Sequence, residues 1–389
     1  MKKERICKKT GIAILIATQL ALTACGAGKE ADQTDVSEAV EVTDDTKTTT
    51  PDDSNVSGDE VDPAGPDTGR ETDKGLPLIG LVTSVGGIED ESFNQSAWEG
   101  LQRLEGMGKC TTRFYEGVTD DEEFESNMQS LIDDNAILCW GIGYDCADLL
   151  MDVAKKNPNT SLAIVDYTYD DIPDNMTCVV FRAQESSFLV GYIAGYVSET
   201  HKVGFVGGYD NEVIDQFWYG FEAGLAYAAN ENGADIEATA VYVDSFVDRE
   251  KGKSLAAELY EDGCDIVYHA AGQSGLGVIE AAKEADRYVI GVDKDQSYLA
   301  YDNVLTSALK NVNVAVCDIS DAYIEGDIIG GRSINMGISD GAVGISEDHH
   351  LYPDEVYDAV MKLSDAIAQG DIIPPSNEEE YNDFIADLE

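Results

Sequence analysis

The chain has 389 residues, 43% of them apolar, which is enough for two domains with separate cores. Its 76 acidic residues against 25 basic ones give a formal charge of -51. A surface of that sign repels phosphate backbones and anionic lipid, so it argues against a nucleic-acid partner and against electrostatic attachment to a membrane.

The N-terminus supplies another route to a membrane. Lys2, Lys3, Arg5, Lys8 and Lys9 precede an apolar run from Gly11 to Ala24. The run is shorter than the roughly 20 residues of a membrane span and fits the apolar core of a signal peptide, predicted over residues 1–24. It ends in Leu22-Thr23-Ala24-Cys25-Gly26, which resembles the bacterial lipobox. That motif implies acyl transfer to the Cys25 thiol and cleavage before it, with each buried methylene contributing about 0.8 kcal/mol of anchoring. Residues 25–75 are rich in Asp, Glu, Thr, Gly, Pro and Ser without an apolar period, so they read as a disordered acidic spacer behind the lipidated cysteine.

From Leu76 onward, strand-like runs alternate with helical patterns. Pro77–Thr83 reads as a strand, Ser92–Met107 as a helix, Thr111–Tyr115 as a strand and Asp120–Asp133 as a helix. Ala136–Trp140, Ser161–Asp166 and Met176–Phe181 read as strands, with a helix over Cys146–Lys156. The pattern repeats: helices over Glu185–Glu199, Val213–Asn232, Arg249–Glu261 and Leu276–Ala285 separate strands at Lys202–Val206, Ala238–Val243, Ile266–His269 and Tyr288–Val292. Leu305–Leu309 reads as a hinge strand and Tyr352–Ile367 as a final amphipathic helix. The alternation predicts an α/β chain of two doubly wound parallel-sheet domains joined by a hinge. The first comprises residues 76–182 plus about 310–345, the second residues 183–309, and residues 346–389 form a C-terminal helix and an acidic tail. Cys110, Cys139, Cys146, Cys178, Cys264 and Cys317 show no C-x-x-C spacing, and several fall in apolar runs, so they are expected to be mostly free, buried thiols.

Ligands of open α/β sheets bind beyond the carboxyl ends of the strands, and two facing domains make a closable cleft there. The residues that follow each strand are therefore the site candidates. After the first come Ser84-Val85-Gly86-Gly87 and Asp90-Glu91-Ser92-Phe93-Asn94-Gln95. Phe93 offers a face for a planar base or a staple for the core, and Asn94 offers a donor and an acceptor for a base edge or a partner for a helix cap. Asp166 and Asp293 end two strands in the two halves, where carboxylates can accept from sugar hydroxyls or cap a turn. Lys310 follows the hinge strand.

At these residues the chain resembles the basic membrane protein family of ABC substrate-binding lipoproteins, which are similar to a purine nucleoside receptor. The resemblance covers about Leu76 to Ile345. It is carried by Asp90 to Gln95, Phe188-Leu189-Val190-Gly191-Tyr192-Ile193-Ala194-Gly195, Val203-Gly204-Phe205-Val206-Gly207-Gly208 and Phe217-Trp218-Tyr219-Gly220-Phe221-Glu222-Ala223-Gly224. Ala271-Gly272-Gln273-Ser274-Gly275, Gly291-Val292-Asp293-Lys294-Asp295-Gln296 and Leu305 to Lys310 complete it. It implies a fold like type I periplasmic binding proteins, with Phe93 stacked on a base and Asn94 on its edge. Asp166 would then face the ligand, Asp293 and Lys310 would hold ribose hydroxyls, and Gly272 would approach through its backbone. Tyr268 or His269 would complete the aromatic sandwich. The family often carries Asp in a Thr-Asp-x-Gly pattern after the first strand, whereas this chain has Thr83-Ser84-Val85-Gly86, so Ser84 lacks that charge.

The function implied is capture of a nucleoside, purine before pyrimidine, and delivery to an ABC permease. The protein would be a lipid-anchored monomer on the outer face of a bacterial cell membrane. The alternatives are a binder of a sugar or other small metabolite, or a membrane-anchored ligand sensor, since fold does not fix ligand. No enzyme activity, cofactor or metal is expected. The sequence has no phosphate loop, no nucleophile elbow and no metal-ligand spacing. Gly141 and Gly143 fall short of a dinucleotide motif, Asp170, Asp171 and Asp174 lack calcium-loop spacing, and His349 and His350 are adjacent.

Overall fold

Strands such as Leu138-Cys139-Trp140-Gly141-Ile142 are buried along their whole length, which requires cover on both faces of the sheet. The computed structural model of the chain describes residues 75–117 and 121–388, and supplies that cover with helices. The expected signal peptide, Cys25 and nearly all of the spacer lie outside the described residues.

In chain order the elements are β1 (Leu78–Val82), α1 (Phe93–Gly106), β2 (Thr111–Tyr115), α2 (Asp121–Asp133), β3 (Leu138–Ile142), α3 (Ala147–Lys156), β4 (Leu162–Val165) and β5 (Met176–Phe181). They continue as α4 (Ala183–Val197), β6 (Lys202–Gly207), α5 (Glu212–Asn232), β7 (Glu237–Tyr242), α6 (Arg249–Glu261), β8 (Ile266–Ala270), α7 (Ser274–Ala285), β9 (Tyr288–Asp293) and β10 (Val304–Lys310). The last are α8 (Val312–Glu325), β11 (Arg332–Met336), β12 (Val343–Ile345), α9 (Asp354–Ala368) and α10 (Glu378–Leu388).

Two six-stranded sheets result, ordered β11-β5-β4-β3-β1-β2 and β12-β10-β9-β8-β6-β7. The first is parallel throughout. In the first sheet's domain, Leu101, Leu104 and Val316 of α1 and α8 pack with Trp140 on one face, while Met128, Leu131 and Leu150 of α2 and α3 pack on the other. In the second, α4 and α5 bring Phe188 and Phe221 to one face, and α6 and α7 bring Leu259 and Val278 to the other. Both domains are therefore doubly wound.

Close helix contacts depend on glycine. A Cβ on Gly191 would lie 2.2 Å from the Phe221 carbonyl oxygen, and one on Gly224 would lie 2.1 Å from that of Phe188, so α4 and α5 touch through their backbones. The Trp140 indole N–H donates to Ser320 Oγ at 3.0 Å and ties β3 to α8 inside the core.

The structure departs from the sequence expectation in the second sheet and adds α8, β11, β12 and α10, which the sequence pattern does not assign. The second sheet is mixed, because β12 pairs antiparallel with β10 at its edge. Val312–Glu325 is a helix although its opening Val-Asn-Val-Ala-Val alternates like a strand; its inward residues Val312, Ala315, Val316 and Ile319 recur at helical spacing. The acidic tail at the end of the chain takes the form of helix α10. Ser376 donates to Glu380 through N and Oγ at 2.8 Å each, and the Glu380 N–H returns to Asn377 Oδ1 at 3.1 Å. These bonds start the helix much as a capping box does. Tyr381 and Phe384 then reach Tyr219 and Phe188, each with ring centroids 5.9 Å apart. All six cysteines among the described residues are buried and free.

Candidate functional site

The carboxyl ends of β1, β3, β4, β8, β9 and β10 converge on one cavity, which the amino ends of α1 and α5 help to close. It spans about 640 Å³ of space, with the open mouth included. Ser84, Asp90, Phe93, Asn94, Asp166, Gly272, Asp293 and Lys310 all line it.

One end is built on a buried ion pair. Lys310 Nζ contacts Asp166 Oδ2, with the two side chains only 3% and 9% exposed. The same ammonium lies 4.6 Å from the centre of the Phe93 ring, 5.3 Å from Phe181 and 5.7 Å from Phe217. Cation–π attraction thus supplements the carboxylate. Asp293, in the other domain, accepts from Ser92 Oγ. Burial pushes its carboxyl up to about 6, although Lys310 and the Ser92 hydroxyl pull it down. Asp166 and Asp293 both hold left-handed backbone, with φ of 64° and 65°. Asp is among the few non-glycine residues that tolerate this, and such strain concentrates at functional sites.

The other end is a turn organised by Asp90. Its carboxylate accepts from the N–H groups of Ser92, Asn94 and Gln95 at 2.8–3.0 Å, at the amino end of α1. Burial raises its pKa against those bonds. Asn94 is committed within the same turn. Its Oδ1 accepts from Ser84 N at 2.9 Å and Ser84 Oγ at 3.1 Å, while its Nδ2 donates to Asp90 Oδ2 at 2.9 Å.

Tyr268 and His269 do not line the cavity, because side chains alternate along β8 and both point into the layers beside the sheet. Tyr268 is fully buried against Phe205 and Phe221, with its hydroxyl 3.0 Å from Ser187 Oγ. His269 is equally buried, and burial lowers its pKa to about 4. It is therefore neutral at pH 7, and its Nε2 lies 3.1 Å from Gln296 Oε1. Gln296 also accepts from Val292 N at 3.0 Å and donates to the Glu91 carbonyl at 3.0 Å, which links the two domains behind Asp293.

The aromatic rings that line the cavity besides Phe93 are Tyr144, Phe217 and Phe246. Phe246 follows β7, and its carbonyl accepts from Ser274 N at 3.0 Å. A Cβ on Gly208 would come within 2.1 Å of the Phe246 ring, so that glycine makes room for it. Tyr144 spans the cleft. Its hydroxyl accepts from Asn211 Nδ2 at 3.0 Å, and its ring meets Phe246 edge-on with centroids 6.4 Å apart. Asn211 Oδ1 meanwhile caps α5 by accepting from Val213 and Ile214 N–H groups. Asp145 also lines the cavity; protein atoms crowding it push its carboxyl up to about 6, although the side chain keeps access to water. Gly141-Ile142-Gly143 at the end of β3 and Ser245-Phe246 after β7 are the strand-end signals for these residues. Further contacts join the domains outside the cavity, with Lys294 Nζ 2.7 Å from Glu99 and Tyr298 donating to Glu91.

Among the described residues no group of three or more His, Cys, Asp or Glu is placed to hold a metal ion, and no helix is long and apolar enough to cross a membrane. Residues 79–378 match the family described as ABC transporter substrate-binding protein, PnrA-like. Basic membrane protein A1 of Borrelia garinii subsp. bavariensis is 41% identical over 315 residues, spanning 80% of this chain and 91% of that protein. The CD4+ T-cell-stimulating antigen of Listeria innocua is 37% identical over 317 residues, spanning 76% and 87%. In fold, the chain is similar to an ABC transporter solute-binding protein from Aeropyrum pernix, with a TM-score of 0.72, 24% identity and coverage of 80% and 97%.

Proposed function

The chain belongs to the family of PnrA-like ABC transporter substrate-binding proteins, and from that premise we propose that it captures a nucleoside, purine before pyrimidine, without chemical conversion. The observation that carries this reading is the division of the cavity. Flat apolar faces, Phe93 and Phe246, line the same space as the Asp166, Asp293 and Lys310 charges. A nucleoside has the same two parts, a planar base and a ring of hydroxyls. Base stacking on Phe93 draws the Lys310 ammonium off the ring and toward the hydroxyls, which Asp293 and Asp166 accept. Tyr144 and Asn211 then fasten the domains over the ligand by differential affinity for the closed form.

The protein is held on the extracytoplasmic face of a bacterial membrane through lipid on Cys25, with the acidic segment as tether and a permease as recipient. Replacing Cys25 with Ser releases it from the membrane fraction; continued retention of that variant contradicts the anchor. The binding reading is tested by Asp293→Ala against a nucleoside and its free base. Affinity falls for the nucleoside and holds for the base. Equal losses for both remove Asp293 from the ribose.

A further inference from the structure

Two cavity carboxylates, Asp90 and Asp145, pair with no cation among the described residues, and of the two only Asp145 is solvent-exposed. Lys310 is paired with Asp166, and Asp293 and Asp90 are engaged by hydroxyl or backbone donors. Asp145 lines the same space and forms no salt bridge among the described residues. Backbone N–H groups of Asp145 itself, Cys146 and Val85 orient it. A carboxylate can accept about four hydrogen bonds, so an exposed one keeps capacity for a further donor.

Its place is specific. A Cβ on Gly143 would lie 2.6 Å from Asp145 Oδ1 and 3.1 Å from Ser84 Cβ, so the carboxylate and Ser84 both pack closely about Gly143. Glycine permits that approach, and the φ of 105° there suits glycine. The neighbouring polar groups are spent. Ser84 gives both N–H and O–H to Asn94 Oδ1, and the Asn94 amide nitrogen faces Asp90 Oδ2 at 2.9 Å and the Val85 carbonyl at 3.4 Å. Asp145 is thus a charged acceptor left for a ligand on the Ser84 side of the cavity.

We propose that Asp145 determines base specificity by accepting a hydrogen bond from a ring N–H on the edge of the base. This deepens the nucleoside reading and rests on it. Hypoxanthine, guanine and uracil carry a ring N–H at that edge; adenine and cytosine carry a lone pair there, which faces the carboxylate with like polarity. A hydrogen bond to a charged acceptor separates the two classes by about 10- to 100-fold in affinity. Ser84 offers no carboxylate of its own, so Asp145 supplies the charge from the adjacent strand end.

The test is calorimetric titration of the full chain with inosine and adenosine, then of Asp145→Asn. Wild-type protein prefers inosine by at least about tenfold, and the asparagine, which presents an N–H as readily as an oxygen, abolishes the preference. Equal affinities in the wild type overturn the proposal without any variant. An inosine preference that survives Asp145→Asn also overturns it, while leaving nucleoside capture intact. Binding of neither nucleoside overturns both readings together.

Discussion

Replacing Asp293 with Asn tests whether the site is built for its ligand at the expense of the empty protein. The carboxyl is pushed from an ordinary 3.8 to about 6 by burial, which outweighs Lys310 and Ser92. That rise corresponds to about 3 kcal/mol against ionisation at neutral pH. A carboxyl with a raised folded pKa contributes stability that is fully present below 3.8 and is lost as pH climbs through about 6. At pH 7 the wild type therefore carries the penalty. Asparagine keeps the shape and an acceptor for Ser92 without the charge. Chemical unfolding of ligand-free protein should show Asp293→Asn more stable by up to about 3 kcal/mol at pH 7. The advantage should shrink steadily toward pH 4, where the wild type is protonated. A variant less stable than wild type at pH 7 would refute the reasoning, since attraction to Lys310 would then exceed the burial cost.

Lys310→Met leaves Asp166 buried without its cation and should cost about 3–5 kcal/mol in the same unfolding assay; a loss below about 1 kcal/mol would mean water already reaches the pair. Gly191→Ala forces a Cβ against the Phe221 carbonyl, and should cost about 1–3 kcal/mol of stability with no effect on ligand affinity once folded. Phe93→Ala should weaken nucleoside binding by about 1–3 kcal/mol in calorimetry, and unchanged affinity would make Phe93 a core residue only.

The alternation of apolar runs and amphipathic helices made both doubly wound domains legible, because buried parallel strands such as β3 have no polar positions to blur them. Each exception has its own cause. The opening of α8 alternates like a strand, β11 is exposed at three of its five positions and so lacks an apolar run, and α10 owes its start to Ser376, Asn377 and Glu380. In the cavity, Ser84, Asp166, Asp293 and Lys310 were visible as polar residues that close apolar strands. Tyr144, Asp145 and Phe246 stand two to four residues past their strands, in loops whose meeting depends on sheet order. Tyr268 and His269 looked equivalent to them in sequence, but the pleat of β8 sends them into the packed layers. Asn94 carries the right groups for a base edge, and the fold has turned them toward Ser84 and Asp90.

The most direct test of the account is a thermal-shift titration of the full chain with nucleosides, free bases and sugars. A nucleoside at about 100 times its dissociation constant adds about 2.7 kcal/mol of stability, so the melting temperature should rise with nucleosides and not with sugars. A rise with sugars alone would keep the fold and the transporter family but remove the nucleoside, and with it the roles given to Phe93 and Asp145.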